Sequence, residues 1–495
     1  MKKILVILAA AALTLVACNN KKASEQPRES WSLTEIYGDT VAFHPDWTYS
    51  SVVYEANIRQ FTPEGTFKAF EAQLPRLKDL GVDCIWLMPM YPIGKEGRKD
   101  TEESLGSYYA IRDYKDVNPE FGTMEDFDHM LATAHELGFK VILDWVANQT
   151  APDHVWMTTQ PAEFYERDAE GNAIWEYDWT DTRSLNYESH LVWEAQDDAM
   201  RFWLEKGLDG FRCDAAGDVP AEFWQEILPK MNADYPEAYL LAEAERDNLA
   251  DCVQTFDANY AWELHHLLNS LSQGSKTLQD LKDYLARDKA RFPKEAYRLM
   301  FTSNHDENSW AGTEFEREGV FAKACAVLCF TLPQGQPLIY TGQEIGLSRR
   351  LKFFDKDSIT DWTPNEYTCF YKKLTALKHE NPALKAGEKG GELVYLEGMP
   401  EGVLGFSREV EGNKVIVLAN FGVPGEVEEV ELENNSNRAT GAEAAVKFLN
   451  AEAAPVDVTL VLDGQYTSIF DGNVIPEGTF EIKNFMPGDF IVLTK

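Results

Sequence analysis

The chain predicts an α/β fold: a (β/α)₈ barrel, a short excursion after its third strand, and a C-terminal antiparallel β-sandwich. From about Ser51 to Gly346, short apolar strand-like runs alternate with stretches of helical periodicity. Eight such units can be counted, the number that closes a barrel. After about Ala386 the texture changes to alternating strands separated by Gly, Pro and Asn, which reads as a sandwich.

The elements follow in order. Two lysines precede an apolar run from Ile4 to Ala17, the pattern of a secretory signal that is too short to span a membrane. Leu15-Val16-Ala17-Cys18 resembles a bacterial lipobox, which would make Cys18 the lipidated first residue of an exported, envelope-anchored lipoprotein; an ordinary signal peptide is the alternative. Residues 1–17 are thus the expected leader and 18–30 a flexible tether, polar and without aromatic side chains.

The barrel is assigned to residues 31–385. Thr66 is placed to cap a helix carrying Phe67, Phe70, Leu74, Leu77 and Leu80 at near-helical spacing, with Pro75 straining its middle. Thr123 caps the next, whose stripe is Phe127, Met130, Ala134 and Leu137, and Gly138 ends it. The strand-like runs are 52–57, 82–88, 141–146, 210–214, 238–243, a weak one at 255–259, 297–303 and 336–340. A doubly wound open sheet is the competing topology, but no glycine-rich dinucleotide fingerprint supports it. Residues 149–190, rich in Trp, Tyr, Asp and Glu, are too long for an ordinary connection and form the excursion over the barrel mouth. Residues 386–495 carry the sandwich, with an exposed polar connection at 433–454.

A chain of 495 residues exceeds what one core usually organises, in line with this division. Its formal charge of −36 argues against nucleic acid, anionic lipid and polyanionic glycans; a neutral polymer would feel little of that field. Beyond Cys18 there are cysteines at 84, 213, 252, 325, 329 and 369, and no Cys-x-x-Cys pair. They read as buried free thiols, with no metal site among them.

Arg212 and Asp214 stand two apart in the run Gly210-Phe-Arg-Cys-Asp214, so both project from one face of a strand. Alone, that pattern more often marks a structural ion pair than a paired nucleophile. Two further strand ends carry acids: Glu243 closes the fifth run, and the seventh leads into Asn304-His305-Asp306. Barrel enzymes place their chemistry at the C-terminal ends of strands. Three carboxylates at one mouth suit glycoside hydrolysis, where one acid attacks or activates water and another donates a proton.

With these motifs the chain resembles glycoside hydrolase family thirteen, the α-amylase family. The segments that carry the resemblance are Asp144-Trp-Val-Ala-Asn148, Gly210-Phe-Arg-Cys-Asp214, Leu241-Ala-Glu243 and Asn304-His305-Asp306, in the family's order. Gly106-Ser-Tyr-Tyr109-Ala-Ile-Arg-Asp113-Tyr resembles the segment whose tyrosine stacks on sugar. The resemblance implies Asp214 as nucleophile, Glu243 as general acid and base, and Asp306 as the group that holds the distorted sugar ring. It also implies Arg212 as the residue that orients Asp214 and keeps its pKa low, and a substrate-binding set of Tyr109, Arg212, His305, Asn148, Gln149 and Asp144. The expected partner is an α-glucan cleaved at α-1,4 bonds with retention. The alternatives are a glucanotransferase, a cyclodextrin- or pullulan-type hydrolase, and a non-catalytic glycan-binding protein.

The pattern breaks in three places. Gln149 replaces a histidine expected to reach the sugar, Gly217-Asp218 stands where the family often has Lys-His, and Ser184 replaces an aspartate of the family's calcium site. Calcium asks for six to eight oxygens with several charges, so the balance tips against a structural Ca²⁺. No organic cofactor is implied, and oligomeric state is not legible.

Overall fold

A computed structural model describes residues 32–33, 44–99, 103–245, 255–423 and 450–495. The leader, the tether with Cys18, Cys252 and most of the polar connection at 433–454 lie outside the described residues. Among the described residues, no helix is long and apolar enough to cross a membrane.

The barrel is closed by strands β1 Val53–Ala56, β2 Cys84–Leu87, β3 Lys140–Val146, β6 Gly210–Asp214, β7 Tyr239–Ala242, β8 Ala258–Tyr260, β9 Tyr297–Met300 and β10 Gly335–Tyr340. Each pairs in parallel with its neighbours, and β10 returns to β1. The excursion after β3 contains a small antiparallel pair, β4 Gln149–Thr150 with β5 Arg183–Ser184. Parallel strands buried on both faces become nearly continuous apolar runs, which is why these elements could be read from sequence.

Two apolar layers hold the barrel. Val53, Trp86, Ile142, Tyr239, Leu241 and Leu299 belong to the cluster that fills its interior. A larger cluster, including Phe67, Phe127, Trp203, Phe223 and Leu374, fills the space between strands and helices. The helix Met124–Glu136 starts as expected: Thr123 Oγ1 accepts from Asp126 N, and Asp126 reaches back to Thr123 N in a capping box.

The helix expected from Phe67 to Leu80 is instead two, Phe67–Glu71 and Leu74–Leu80. Pro75 lacks an N–H and its ring would crowd the carbonyl four residues earlier, so the chain stops and restarts with proline in a first turn, where the missing donor costs nothing. The eighth-unit count is unaffected. The weak sixth run lies slightly later than expected, because Asp257 gives its carboxylate to Leu240 N and His44 and the ladder begins only at Ala258. Cys84, Cys213, Cys325 and Cys329 are buried free thiols, whereas Cys369 is exposed, against expectation: its helix turns that position to solvent.

Beyond the barrel, β11 Val394–Tyr395, β12 Val403–Val410, β13 Asn413–Asn420, β15 Tyr466–Ser468, β16 Val474–Ile475 and β18 Phe490–Thr494 form one antiparallel sheet. A second sheet pairs β14 Val456–Leu462 with β17 Gly478–Phe485. Val403, Ile416 and Leu418 from the first meet Val458, Leu460 and Phe485 from the second in one core. Arg408 ties this unit to the barrel by donating to the carbonyls of Thr331 and Leu332.

Candidate active site

The site grows from β6. Gly210 opens the strand at φ 143°, and a β-carbon there would collide with the Tyr239 carbonyl. The bare backbone lets β6 and β7 run side by side, bringing Asp214 and Glu243 to adjacent strand ends. Arg212 and Asp214 share one face, while Cys213 is buried on the other.

Arg212 is wholly out of water, enclosed by acids and aromatic rings. Nη1 donates to Asp144 Oδ1 at 2.8 Å and Asp214 Oδ1 at 2.8 Å, and Nη2 pairs with Glu243 Oε2 at 2.8 Å. Nε donates to Tyr260 Oη at 3.2 Å, and the guanidinium lies 4.9 Å from the centre of the Trp86 ring. Because both acids sit on one planar fork, the bound oxygens of Asp214 and Glu243 are within about 8 Å of each other, no farther apart than glycosidase pairs reach.

Ala215, next in the chain, is held at φ 42°, a left-handed conformation uncommon outside glycine. That strained turn points its N–H at Glu243 Oε2, 2.8 Å away.

The third acid joins through His305. Its Nδ1 meets Glu55 Oε1 at 2.5 Å, and its Nε2 lies 2.7 Å from Tyr109 Oη and 3.4 Å from Asp306 Oδ2. Tyr109 Oη in turn donates to Asp144 Oδ2 at 3.1 Å, an atom that also accepts from Trp86 Nε1 at 3.2 Å. One network therefore runs from Glu55 through His305, Tyr109, Asp144 and Arg212 to the two acids on β6 and β7.

Burial raises the Asp214 pKa well above the usual carboxylate range; Arg212 opposes this, and the charges of Glu243 and Asp144 add to it. The expectation that Arg212 keeps Asp214 low is thus corrected: one cation shared among three acids does not overcome desolvation. Asp144 is raised by burial too, against the pull of Arg212 and His305. For His305, burial works against the charged form, but Asp306 and Glu55 outweigh it and push the pKa up to about 9.

Asp214, Glu243, Asp306, Tyr109, His305 and Gln149 line a cavity of about 930 Å³ at the C-terminal mouth of the barrel. Gly217 and Asp218, where the family's Lys-His is missing, line it as well. Three expected contact residues stand behind the wall. Asp144 and Arg212 are fully buried supports, and Asn148 turns its amide to Gln149 Oε1 at 3.2 Å.

Sequence reasoning missed Glu55, Trp86 and Tyr260 beneath the cavity, and Trp179, Trp262 and Phe353 on its wall. Only Glu55 carried a signal, an acid inside an otherwise apolar strand. As for calcium, the positions that would carry the family's site offer little charge: Asn148 turns its amide to Gln149 Oε1, and Ser184 brings a hydroxyl where a carboxylate would stand.

A closed parallel barrel with acids from separate strands meeting in one polar cavity defines a barrel enzyme built for carboxylate chemistry. The sequence model of the α-amylase catalytic domain matches residues 37–177 and 171–375. The chain belongs to the α-amylase family and is a glycosidase. It is 29% identical over 391 residues to the α-amylase MalA of Haloarcula japonica, covering 76% of this chain and 56% of that protein. It is 26% identical over 384 residues to the oligo-1,6-glucosidase of Heyndrickxia coagulans, covering 61% of this chain and 67% of that one. The crystal structure of an α-amylase from Lactobacillus plantarum superposes with a TM-score of 0.74 at 28% identity, covering 90% of this chain and 99% of that one.

Proposed function

We propose that the enzyme hydrolyses α-1,4-glucosidic bonds of starch-type glucans or maltooligosaccharides with retention, through a covalent glycosyl-enzyme. The observation that carries this reading is the single buried guanidinium of Arg212, bound to both Asp214 and Glu243.

In the first step a carboxylate oxygen of Asp214 attacks the anomeric carbon as its bond to the leaving oxygen breaks. Glu243 gives that oxygen its proton, so the departing sugar leaves as a neutral alcohol. In the second, the Glu243 carboxylate takes a proton from water, the resulting oxygen attacks the anomeric carbon, and the ester to Asp214 breaks. Arg212 partly offsets the cost of an ionised Asp214 in a buried setting. Asp306 and His305 hold ring hydroxyls, and Tyr109 offers a flat apolar face to the ring's C–H surface.

Asp214→Asn removes the attacking charge with little change of shape. It is expected to lower kcat on maltoheptaose by about 10⁴-fold or more while the circular dichroism spectrum and melting temperature stay close to those of the wild type. Substantial residual activity would reassign the nucleophile. Chromatography of products from the wild type separates hydrolysis, which creates reducing ends, from transfer, which lengthens oligomers while their number of reducing ends is constant.

A further inference from the structure

Resting on the reading as an α-glucan hydrolase, we propose that Glu307, the chain neighbour of Asp306, is a positioning residue: held behind the cavity by His265 and Arg317, it fixes the backbone turn from which Asp306 meets the sugar.

Two of the three acids stand on a guanidinium, and the third does not. Asp214 and Glu243 are bound by Arg212, whereas the Asp306 side chain is 39% exposed and meets His305 Nε2 at 3.4 Å. A contact that long is a weak hold, so the place of the Asp306 carboxylate is decided by the backbone that carries it. That backbone is uncommon. Glu307–Ala311 form a single π turn, closed by Gly312 N donating to Glu307 O at 2.8 Å. Turns of this kind are rare and recur at functional sites.

The turn is clamped from behind. Glu307 Oε2 lies 3.0 Å from His265 Nε2 and 3.8 Å from Arg317 Nη1. His265 is buried in the helix Trp262–Ser272, with its ring stacked on Phe301 at 4.7 Å and 15°, so it offers Glu307 a fixed partner. Arg317 is buried too. It donates from Nε to Gly312 O at 2.9 Å, from Nη2 to Thr302 O at 2.6 Å and from Nη1 to Asn269 Oδ1 at 3.0 Å. One guanidinium thus joins the chain just past β9 to the end of the π turn, with Asp306 between them.

Other bonds fix the remaining sides. Glu307 N donates to Asn304 Oδ1 at 2.8 Å. Asn308 Oδ1 accepts from Leu351 N at 2.7 Å and Ser309 Oγ donates to Leu351 O at 2.9 Å, tying the turn to the aromatic strap at 351–355. Asp306 lines the cavity while the next residue is paired behind it, so a rotation of the turn that freed one carboxylate would carry the other with it. A charge-assisted contact resists that rotation better than a neutral one, and a misplacement of about 1 Å at a reacting ring can cost about 100-fold in rate.

Glu307→Ala is the test, run beside Glu307→Gln and repeated on an Asp306→Asn background. On maltoheptaose, Glu307→Ala is expected to lower kcat about 10-fold or more with KM within about 2-fold of wild type. Glu307→Gln, which still accepts a hydrogen bond from His265 or Arg317, is expected to recover most of that loss. With Asp306 already neutral, Glu307→Ala is expected to cost less than about 2-fold further, because the charge it places is gone. An unchanged kcat, a change confined to KM, a loss equal on both backgrounds, or Gln as poor as Ala overturns the proposal. Should Glu307→Ala lose its fold by circular dichroism, Arg317→Lys, which keeps the charge and loses the fork, takes its place and is judged by the same loss of kcat on the two backgrounds. A wild type that cleaves no α-glucan sinks the activity reading instead. The crystal structure of Glu307→Ala, or of Arg317→Lys in its place, then decides the placement alone: Asp306 displaced from His305 supports it, and Asp306 in its wild-type position overturns it.

Discussion

A guanidinium with no access to water is tolerable at position 212 only because acids and aromatic faces enclose it, and the same logic applies to His305 across the cavity. Its ring is buried, yet Asp306 and Glu55 hold it charged, with a pKa pushed up to about 9. Then Nδ1–H donates to Glu55, Nε2–H donates to the Tyr109 oxygen, and the Tyr109 hydroxyl is free to donate to Asp144. Glu55→Gln keeps the shape and removes the charge, so the His305 pKa falls and the alkaline limb of the kcat/KM profile moves about one unit or more to lower pH. An unmoved limb would remove His305 charge from the mechanism. Stability follows the same sign. A folded pKa above the ordinary 6.5 stabilises fully below that value and is lost as pH rises through about 9, so wild type weakens across this window more than Glu55→Gln. At this scale Arg212 and Asp214 were legible, since strand alternation puts i and i+2 together. Glu55 was not, because its partner lies 250 positions away and a lone acid in an apolar run names no partner.

Strands and helices were legible to the extent that burial imposes a period. Fully buried strands such as β6 left apolar runs with the observed ends, and Thr123 with Asp126 signalled a helix start. Where a side chain competes with the ladder, as Asp257 does, or proline resets a helix, as Pro75 does, the boundary moved for reasons hydropathy does not carry. The aromatic strap at 351–355 was invisible for a related reason: its order comes from Arg59 and Gln60, far away in the chain, and not from a local pattern. Gly210 shows how one element sets up the site. Alanine there would force either β6 or β7 to move, since the obstruction is the Tyr239 backbone and the φ of 143° is strained for any side chain. Gly210→Ala should cost about 3 kcal/mol or more, read as a lower thermal midpoint. It should also depress kcat at 25 °C, because Asp214 and Glu243 are registered by that strand pair. A variant with wild-type midpoint and kcat would show that the β6–β7 contact does not set the geometry.

Over the whole molecule, the formal charge of −36 becomes a statement about substrate. The cavity does not counter it. Asp178, Asp181, Asp214, Asp218, Glu243 and Asp306 line the wall against Lys99 and His305, and Lys99 is itself paired with Asp178 at 2.7 Å. An anionic polymer approaching this mouth meets repulsion both at long range and at contact, while a neutral glucan meets neither. Raising NaCl from about 20 to about 500 mM shortens the Debye length severalfold, so kcat/KM on maltoheptaose should change by less than about 2-fold. A carboxymethylated or sulfated glucan should be cut about 10-fold or more slowly at the low salt and partly recover at the high. Strong salt dependence on the neutral oligomer, or none on the charged polymer, would mean that the field outside the barrel does not reach the bond being broken. In that case selectivity would have to come from contacts inside the cavity alone.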